Sequence, residues 1–345
     1  PVQGFALYGG TGFTATFTGA LNAGSKSSTT TFSYSGVNEA DNKGWNLVGN
    51  PYPCSIDWDA SSGWTKTNIN DAIYLHVDNS TWATYVGGAG VNGGTRYIAP
   101  SQGFFVRASA AGELAMTDAV KVHHTTAFFK SSNEVYPKLV RLEISGNVYK
   151  DEALVKFNQE ATLGFDGNLD ACKLFGDVPE AAQVYSIGET NLAINTLPET
   201  STVPVGIRAG ASGTYTIRAS EINDLAVVNL EDTKTGIFTN LLIKSYTFNF
   251  GTGENEQRFL LHFGTLGVDK KEKTLANIYG YQKTVYIDLK DQLKGDAMIY
   301  NMSGQLITSA SVQQGLNRIN LQTPGVYVVK VITERGVVNE KVWID

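Results

Sequence analysis

Cysteine, methionine and histidine are scarce in this chain, at 2, 3 and 4 of 345 residues. Two cysteines cannot build a thiolate metal site. Cys54 and Cys172 lie far apart and would pair only if two different domains met there, so free buried thiols are the expectation. The histidines give no zinc site either. His76 and His262 sit in strand-like runs, and the adjacent His123 and His124 would point to opposite faces of a strand. Charge is thin as well, at 17% of residues with a net of −6. No Lys/Arg cluster supplies the basic face that a nucleic acid needs, and "DKKEKT" (269–274) is short and mixed in sign. No apolar run approaches the roughly 20 residues of a membrane helix, so no membrane insertion is expected. A signal peptide is missing too. The opening "PVQGFALYGG" is already strand-like, so the sequence reads as a fragment and the absence says nothing about location. No Gly-x-Ser-x-Gly elbow occurs, and the carboxylates have no telling spacing. The expectation is a protein that is not an enzyme.

What is abundant points to strands. Hydrophobic residues make up 42%, with 36 Gly, 16 Tyr and 16 Phe. Aromatics favour pleated surfaces and Gly favours turns. Short alternating runs such as "FTATFTG" (13–19), "TYTIRA" (214–219), "SYTFNFG" (245–251) and "RFLLHFG" (258–264) are bounded by Gly, Asn or Ser. The fold class read from this is all-β, as tandem antiparallel sandwiches. A Gly- and Trp-rich β domain covers residues 1–130, and a jelly-roll or immunoglobulin-like sandwich covers 138–265. A charged linker spans 266–275, and a compact tail covers 276–345. The tail presents about seven short strand runs, the number of a small immunoglobulin-like sandwich.

Two stretches invite a binding role. "GWNLVGNPYPCSIDW" (44–58) holds two Trp and two X-Pro steps, which force extended geometry and remove ladder donors. One reading is a chain corner with an aromatic plug. The other is a glycan platform built from Trp58, Trp64, Trp82 and Tyr85 with nearby Asp57, Asp59 and Asp71, which needs the rings in water. "FDGNLD" places Asp166, Asn168 and Asp170 at alternate positions, as in a calcium loop, but position 177 is Asp followed closely by Pro179, with no distal Glu. The competing reading is Asx turns and a cap.

The tail carries the runs "MSGQLI" (302–307), "GLNRINL" (315–321), "GVYVVKV" (325–331) and "EKVWI" (340–344). In their order and spacing it resembles the C-terminal sorting domain of proteins exported by the type IX secretion system of Bacteroidetes-type bacteria. The family's usual Tyr-Pro-Asn-Pro opening is replaced by "NIYGYQKTVYI", and the chain ends in Asp345 rather than a basic residue. Upstream, "GWNLVGNPYP" with "QGFFV" (102–106), "ATLGFDGNLDACKLFG" (161–176) and "NLAINTLP" (191–198) resemble regions that precede such tails. The resemblance implies export through the periplasm to the outer-membrane surface or beyond, with the secretion machinery as partner. It implies that the tail is commonly cleaved as the remainder is attached to surface lipopolysaccharide. It marks Gly304, Gly315, Gly325, Tyr327, Lys341 and Val342 as signal residues. The function expected is an adhesin-like or stalk part of a large surface protein. The alternative is a carbohydrate-binding module, with surface or host glycans as partners, serving an upstream catalytic domain.

Overall fold

The computed structural model describes residues 2–6, 16, 18–28, 31–32, 34, 43–123, 138–263, 275–334 and 336–344. Runs on other residues, "DKKEKT" and most of "FTATFTG" among them, lie outside the described residues. The chain is all-β, and its packing divides it into two units, residues 1–264 and 265–345.

In the first unit, strands Gly103–Met116, Trp64–Asp78, Thr81–Val86 and Ala89–Val91 lie in that order in a six-stranded sheet, with Ala89–Val91 at one edge and Trp45–Gly49 paired to Gly103–Met116. A small sheet of Ser55–Asp57, Tyr97–Ile98 and Lys121–Val122 lies beside it. An eleven-stranded sheet follows, running from Leu139–Gly146 to Phe259–His262. Its ladders are antiparallel except for one: Tyr149–Phe157 pairs parallel with Asn191–Leu197. That parallel step is feasible because the connecting chain leaves the sheet through the long loop after Phe157.

Two strands, one on each side of residues 124–137, send side chains from both faces into cores, and this decides the architecture. On Trp64–Asp78, Ile69 and Ile73 enter one core with Trp58, Phe104, Val106 and Leu114, whereas Ala72 and Tyr74 enter another. On Tyr149–Phe157, Ala153, Val155 and Phe157 fill the sandwich core, while Leu154 turns the other way. Tyr74, Val86, Val91, Leu139, Leu154, Ala171 and Ile194 then meet in one shared core between the two sheets. Period-two alternation makes this possible, since odd and even positions of one strand serve different layers. Each large aliphatic side chain buried there contributes about 1.5–3 kcal/mol. The sheets on either side of residues 124–137 therefore pack as one body.

Polar contacts lock the same junction. The Asp71 N–H donates to Gly167 O at 2.9 Å, and the Asp177 N–H to Asn79 O at 2.6 Å. Lys156 Nζ donates to Gly87 O at 3.1 Å, and the Cys172 N–H to Tyr74 Oη at 2.9 Å. The deepest contact is made by the turn after Ala89–Val91. Asn92 there is left-handed (φ 52°), a conformation Asn tolerates better than most residues. Its Nδ2 reaches Asp151 Oδ1 at 2.9 Å, its N–H reaches Glu152 Oε2 at 2.7 Å, and its Oδ1 accepts the Glu152 N–H at 3.0 Å.

The second unit is a five-stranded sheet of Ala276–Tyr281, Thr284–Asn301, Leu306–Asn320, Gly325–Thr333 and Gly336–Ile344. The seven runs of the sequence ride on five strands because two pairs continue as one. "TVYIDL" and "DAMIYNM" share Thr284–Asn301, where the register slips between Leu289 and Lys294. Such an interruption bends a strand without ending it. Ile287, Ala297, Ile299, Val329, Val331 and Val342 close a core of the unit's own.

Ile299 is fully buried in that core. Ile299→Ala is expected to cost about 2–5 kcal/mol. In a thermal scan of the whole chain it lowers the transition of the tail and leaves that of residues 1–264 in place. A common shift of both transitions would contradict two separate cores.

Candidate functional site

The "NPYP" stretch turns a corner. Asn50 is buried, and its Nδ2 donates to the carbonyls of Cys54, Ile98 and Ala99 at 2.8–3.2 Å while its Oδ1 accepts the Tyr52 N–H. Tyr52 is buried too, and its hydroxyl donates to Gly24 O at 2.8 Å. The prolines thus steer the chain away from its sheet, and Asn50 replaces the backbone partners they remove.

Trp58 and Trp64 follow, carried by the turn after Ser55–Asp57 and by the start of Trp64–Asp78. Trp58 is 1% exposed, and its Nε1 donates to Asp71 O at 2.7 Å. Trp64 meets it edge-on at 4.8 Å and donates to Asp57 O at 2.8 Å. Lys66 Nζ lies 3.8 Å over the Trp58 ring and 3.1 Å from Asp71 Oδ1. Arg96 grips Asp57 with two hydrogen bonds of 2.6 Å, a fork that fits a carboxylate. Tyr85 donates to Asp59, and burial together with that bond pushes its phenol well up. Asp57, Asp59 and Asp71 each already hold a partner.

The four rings expected to form a platform do not come together. Trp58 and Tyr85 belong to the first core and are 1% and 5% exposed, with Trp64 packed against the same core. Trp82 packs against the shared core, edge-on to His76 and Phe105. Trp82 and Tyr85 are three apart on Thr81–Val86, so strand alternation sends them to opposite faces. The buried Trp58 indole offers no face to a sugar ring, while Trp64 and Trp82 are partly exposed.

The "FDGNLD" loop also finds its partners inside the protein. Asp166 accepts from the Thr162 N–H at 2.6 Å and its hydroxyl at 3.0 Å, and its own carbonyl receives the Leu169 and Asp170 N–H groups. Asp170 accepts from Thr196 N–H at 2.6 Å and Asp166 N–H at 2.8 Å, while Asn168 is exposed. These contacts are those of Asx turns. Among the described residues no group of three or more His, Cys, Asp or Glu is placed to hold a metal.

The remaining candidates are placed as follows. His262 lies 2.7 Å from Glu231 Oε2 and 3.4 Å from Thr202 Oγ1, and His76 lies against Trp82. His124 lies outside the described residues. Neither cysteine is in a disulfide; Cys172 is buried and Cys54 half-buried. In the tail, Gly304 (φ 78°) and Gly315 (φ 86°) take left-handed turns that disfavour a Cβ. Gly325 opens the strand Gly325–Thr333. Tyr327 is buried with its hydroxyl on Thr323 O at 2.7 Å, and Val342 is buried beside an exposed Lys341.

The residues that do most in the structure were not singled out by sequence. Arg96, Asn92, Asp151 and Lys173 lie in unremarkable contexts, although "VNGG" (91–94) carries a turn signal. An open cleft of about 520 Å³ is lined by Gly87, Lys156, Phe157, Asn158, Gln159 and Glu160. Burial pushes the Lys156 amine down, and Asp170 pulls it back. A buried charge pair anchors the sandwich: Arg258 forks onto Asp232 at 2.7 and 2.6 Å, and Tyr246 adds 2.6 Å. Burial opposes ionisation of Asp232, but Arg258 and Tyr246 outweigh it and hold the group at about 2.

Asp170 behaves oppositely, since burial raises it from 3.8 to about 6 against its two backbone donors. A raised carboxyl binds its proton more tightly when folded, so its ionisation costs stability above pH 6 and that cost vanishes as pH falls towards 4. The contribution of Asp232 is present above about pH 4 and is lost as pH falls towards 2. Asp170→Asn is expected to flatten the stability gain between pH 7 and pH 4.5 in a urea series, by on the order of 2 kcal/mol. Equal slopes in both proteins would contradict the assignment.

Two family models match the chain. One, described as "Domain of unknown function (DUF8693)", covers residues 78–263, just over half its length, and the other, "Secretion system C-terminal sorting domain", covers 281–345. The first straddles the shared core, joining the hairpin Thr81–Val91 to the whole eleven-stranded sheet. No curated protein matches. Among solved structures, the Faecalibacterium prausnitzii Beta-glucuronidase aligns at 9% identity with a TM-score of 0.16, over 91% of this chain and 40% of its own. The chain therefore spans about two fifths of that enzyme's length. On the match over residues 78–263 the chain belongs to the DUF8693 family, and on that over 281–345 it ends in a type IX C-terminal sorting domain, which marks it for export to the cell surface or beyond.

Proposed function

We propose that residues 1–263 form a rigid, non-enzymatic display module, adhesin-like or stalk-like, which the tail delivers to the cell surface. The observation that carries this reading is the use made of the charged and aromatic groups. Asp57, Asp151 and Asp232 are bound by Arg96, Lys173 and Arg258, and Trp58, Tyr74 and Tyr85 fill cores. Groups spent on rigidity in this way suit a part that bears load and presents a surface. The module's partners would be met by its exposed faces, and the tail's partner is the secretion machinery.

The alternative, a carbohydrate-binding module beside an upstream catalytic domain, rests on Trp64 and Trp82. They are the two rings of the four that are partly exposed, and they belong to different cores.

In a bacterium with type IX machinery, the whole chain is expected on the surface, and removal of 276–345 is expected to retain it in the periplasm. Purified residues 1–264 are expected to turn over no glycoside, peptide or ester substrate and to bind no polysaccharide saturably. Turnover would refute the non-enzymatic reading. Saturable binding lost in a folded Trp64→Ala or Trp82→Ala protein would favour the glycan reading instead.

A further inference from the structure

Lys173 and Asp151 are buried to 3% and 1% exposure, with Nζ 2.5 Å from Oδ2. Backbone ladders fix both ends of this contact. Asp151 lies on Tyr149–Phe157, opposite Ile144, and Lys173 follows Ala171–Cys172 with its N–H on Asn191 O at 2.7 Å. Both oxygens of Asp151 hold donors: Asn92 Nδ2 on Oδ1 at 2.9 Å, and the Val184 N–H on Oδ2 at 2.8 Å beside Lys173. Lys173 does not have a matching set of acceptors. As an ammonium it carries three N–H donors, and Asp151 is its one side-chain hydrogen-bond partner among the described residues. Burying a cation with unfilled donors is costly, and pairing it offsets only part of that cost. An amide nitrogen in the same place would carry no charge and a single N–H.

We propose that Lys173 and Asp151 join in an intramolecular isopeptide bond, Lys173 Nζ to Asp151 Cγ. The step balances without any co-reactant. A proton passes from Nζ to Oδ2 along their hydrogen bond, leaving a neutral amine and a carboxylic acid. The Nζ lone pair attacks Cγ, and negative charge builds on Oδ1, where the Asn92 amide already donates. A second Nζ proton moves to the Oδ2 hydroxyl, the Cγ–Oδ2 bond breaks, and water leaves. Oδ1 remains as the carbonyl of the new amide. Held proximity of the two groups replaces the activation that amide formation needs in solution. The bond ties Tyr149–Phe157 to the segment beyond Cys172, across the loop that contains Asp166 and Asp170. It does not depend on the display reading, since it follows from the pair's own geometry.

The test is the intact mass of the purified, denatured whole chain. It is expected about 18 Da, one water, below the mass calculated for the uncrosslinked chain. Trypsin is expected to spare the Lys173 site and to release residues 151–156 linked to 157–208. That product carries two amino termini, Asp151 and Phe157, unlike a linear peptide with missed cleavages. Lys173→Met restores the full mass, and Asn92→Ala slows the appearance of the lighter species after synthesis. A wild-type chain at full mass, yielding 151–156 and 157–173 as separate peptides, would overturn the proposal whether or not any variant folds.

Discussion

Asp151 holds together what the rest of the first unit is built around. Its carboxylate receives Asn92 from one sheet, Val184 from the other, and the Lys173 amine, all out of water. Before any bond to Lys173 forms, a charge so placed is tolerated only with its donors in place, and removing one partner of a buried pair commonly costs about 3–5 kcal/mol. The turn carrying Asn92 therefore has one seat. Around it, Tyr74, Val86, Leu139, Leu154 and Ile194 exclude solvent, which in turn strengthens the polar contacts they surround. Apolar layering supplies the bulk of the stabilisation, and the Asp151 network fixes how the layers are aligned.

The two units stand for two tasks. The first is a layered scaffold whose titratable groups are bound up in pairs. The tail has its own core, left-handed glycines at its turns and a tyrosine tied back to Thr323. A sorting signal read as a folded surface needs a body that holds its shape independently, and a separate core meets that need. The sequence match over 78–263 begins at the end of Trp64–Asp78 and takes in the docking hairpin, so the family's module includes the junction itself.

Much of this was legible from residues. Alternation and Gly-bounded turns identify strands wherever one face is wet, and they gave the all-β class and the tail. They fail where both faces are buried. "DAIYLHV" and "EALVKF" lose their alternation because odd and even positions enter different cores, and nothing local marks which core each one joins. The corner at Asn50-Pro51 was readable from proline chemistry. The glycan platform was not supported, because composition around Trp58 and Trp64 reports polarity but not which way a ring points. Around Asp166 and Asp170 spacing brings oxygens close, and what the spacing did not show is that backbone N–H groups already donate to both carboxylates. Asp151 and Lys173 were invisible because their pairing depends on strands distant in sequence.

The shared core makes a claim about cooperativity that calorimetry can decide. Residues 1–264, scanned alone, should unfold in one transition whose calorimetric and van't Hoff enthalpies agree, because neither sheet keeps its buried face without the other. Two resolved transitions, one for the sheet before residue 124 and one for the sheet after 137, would show that the junction is a contact between independent domains and would contradict the account.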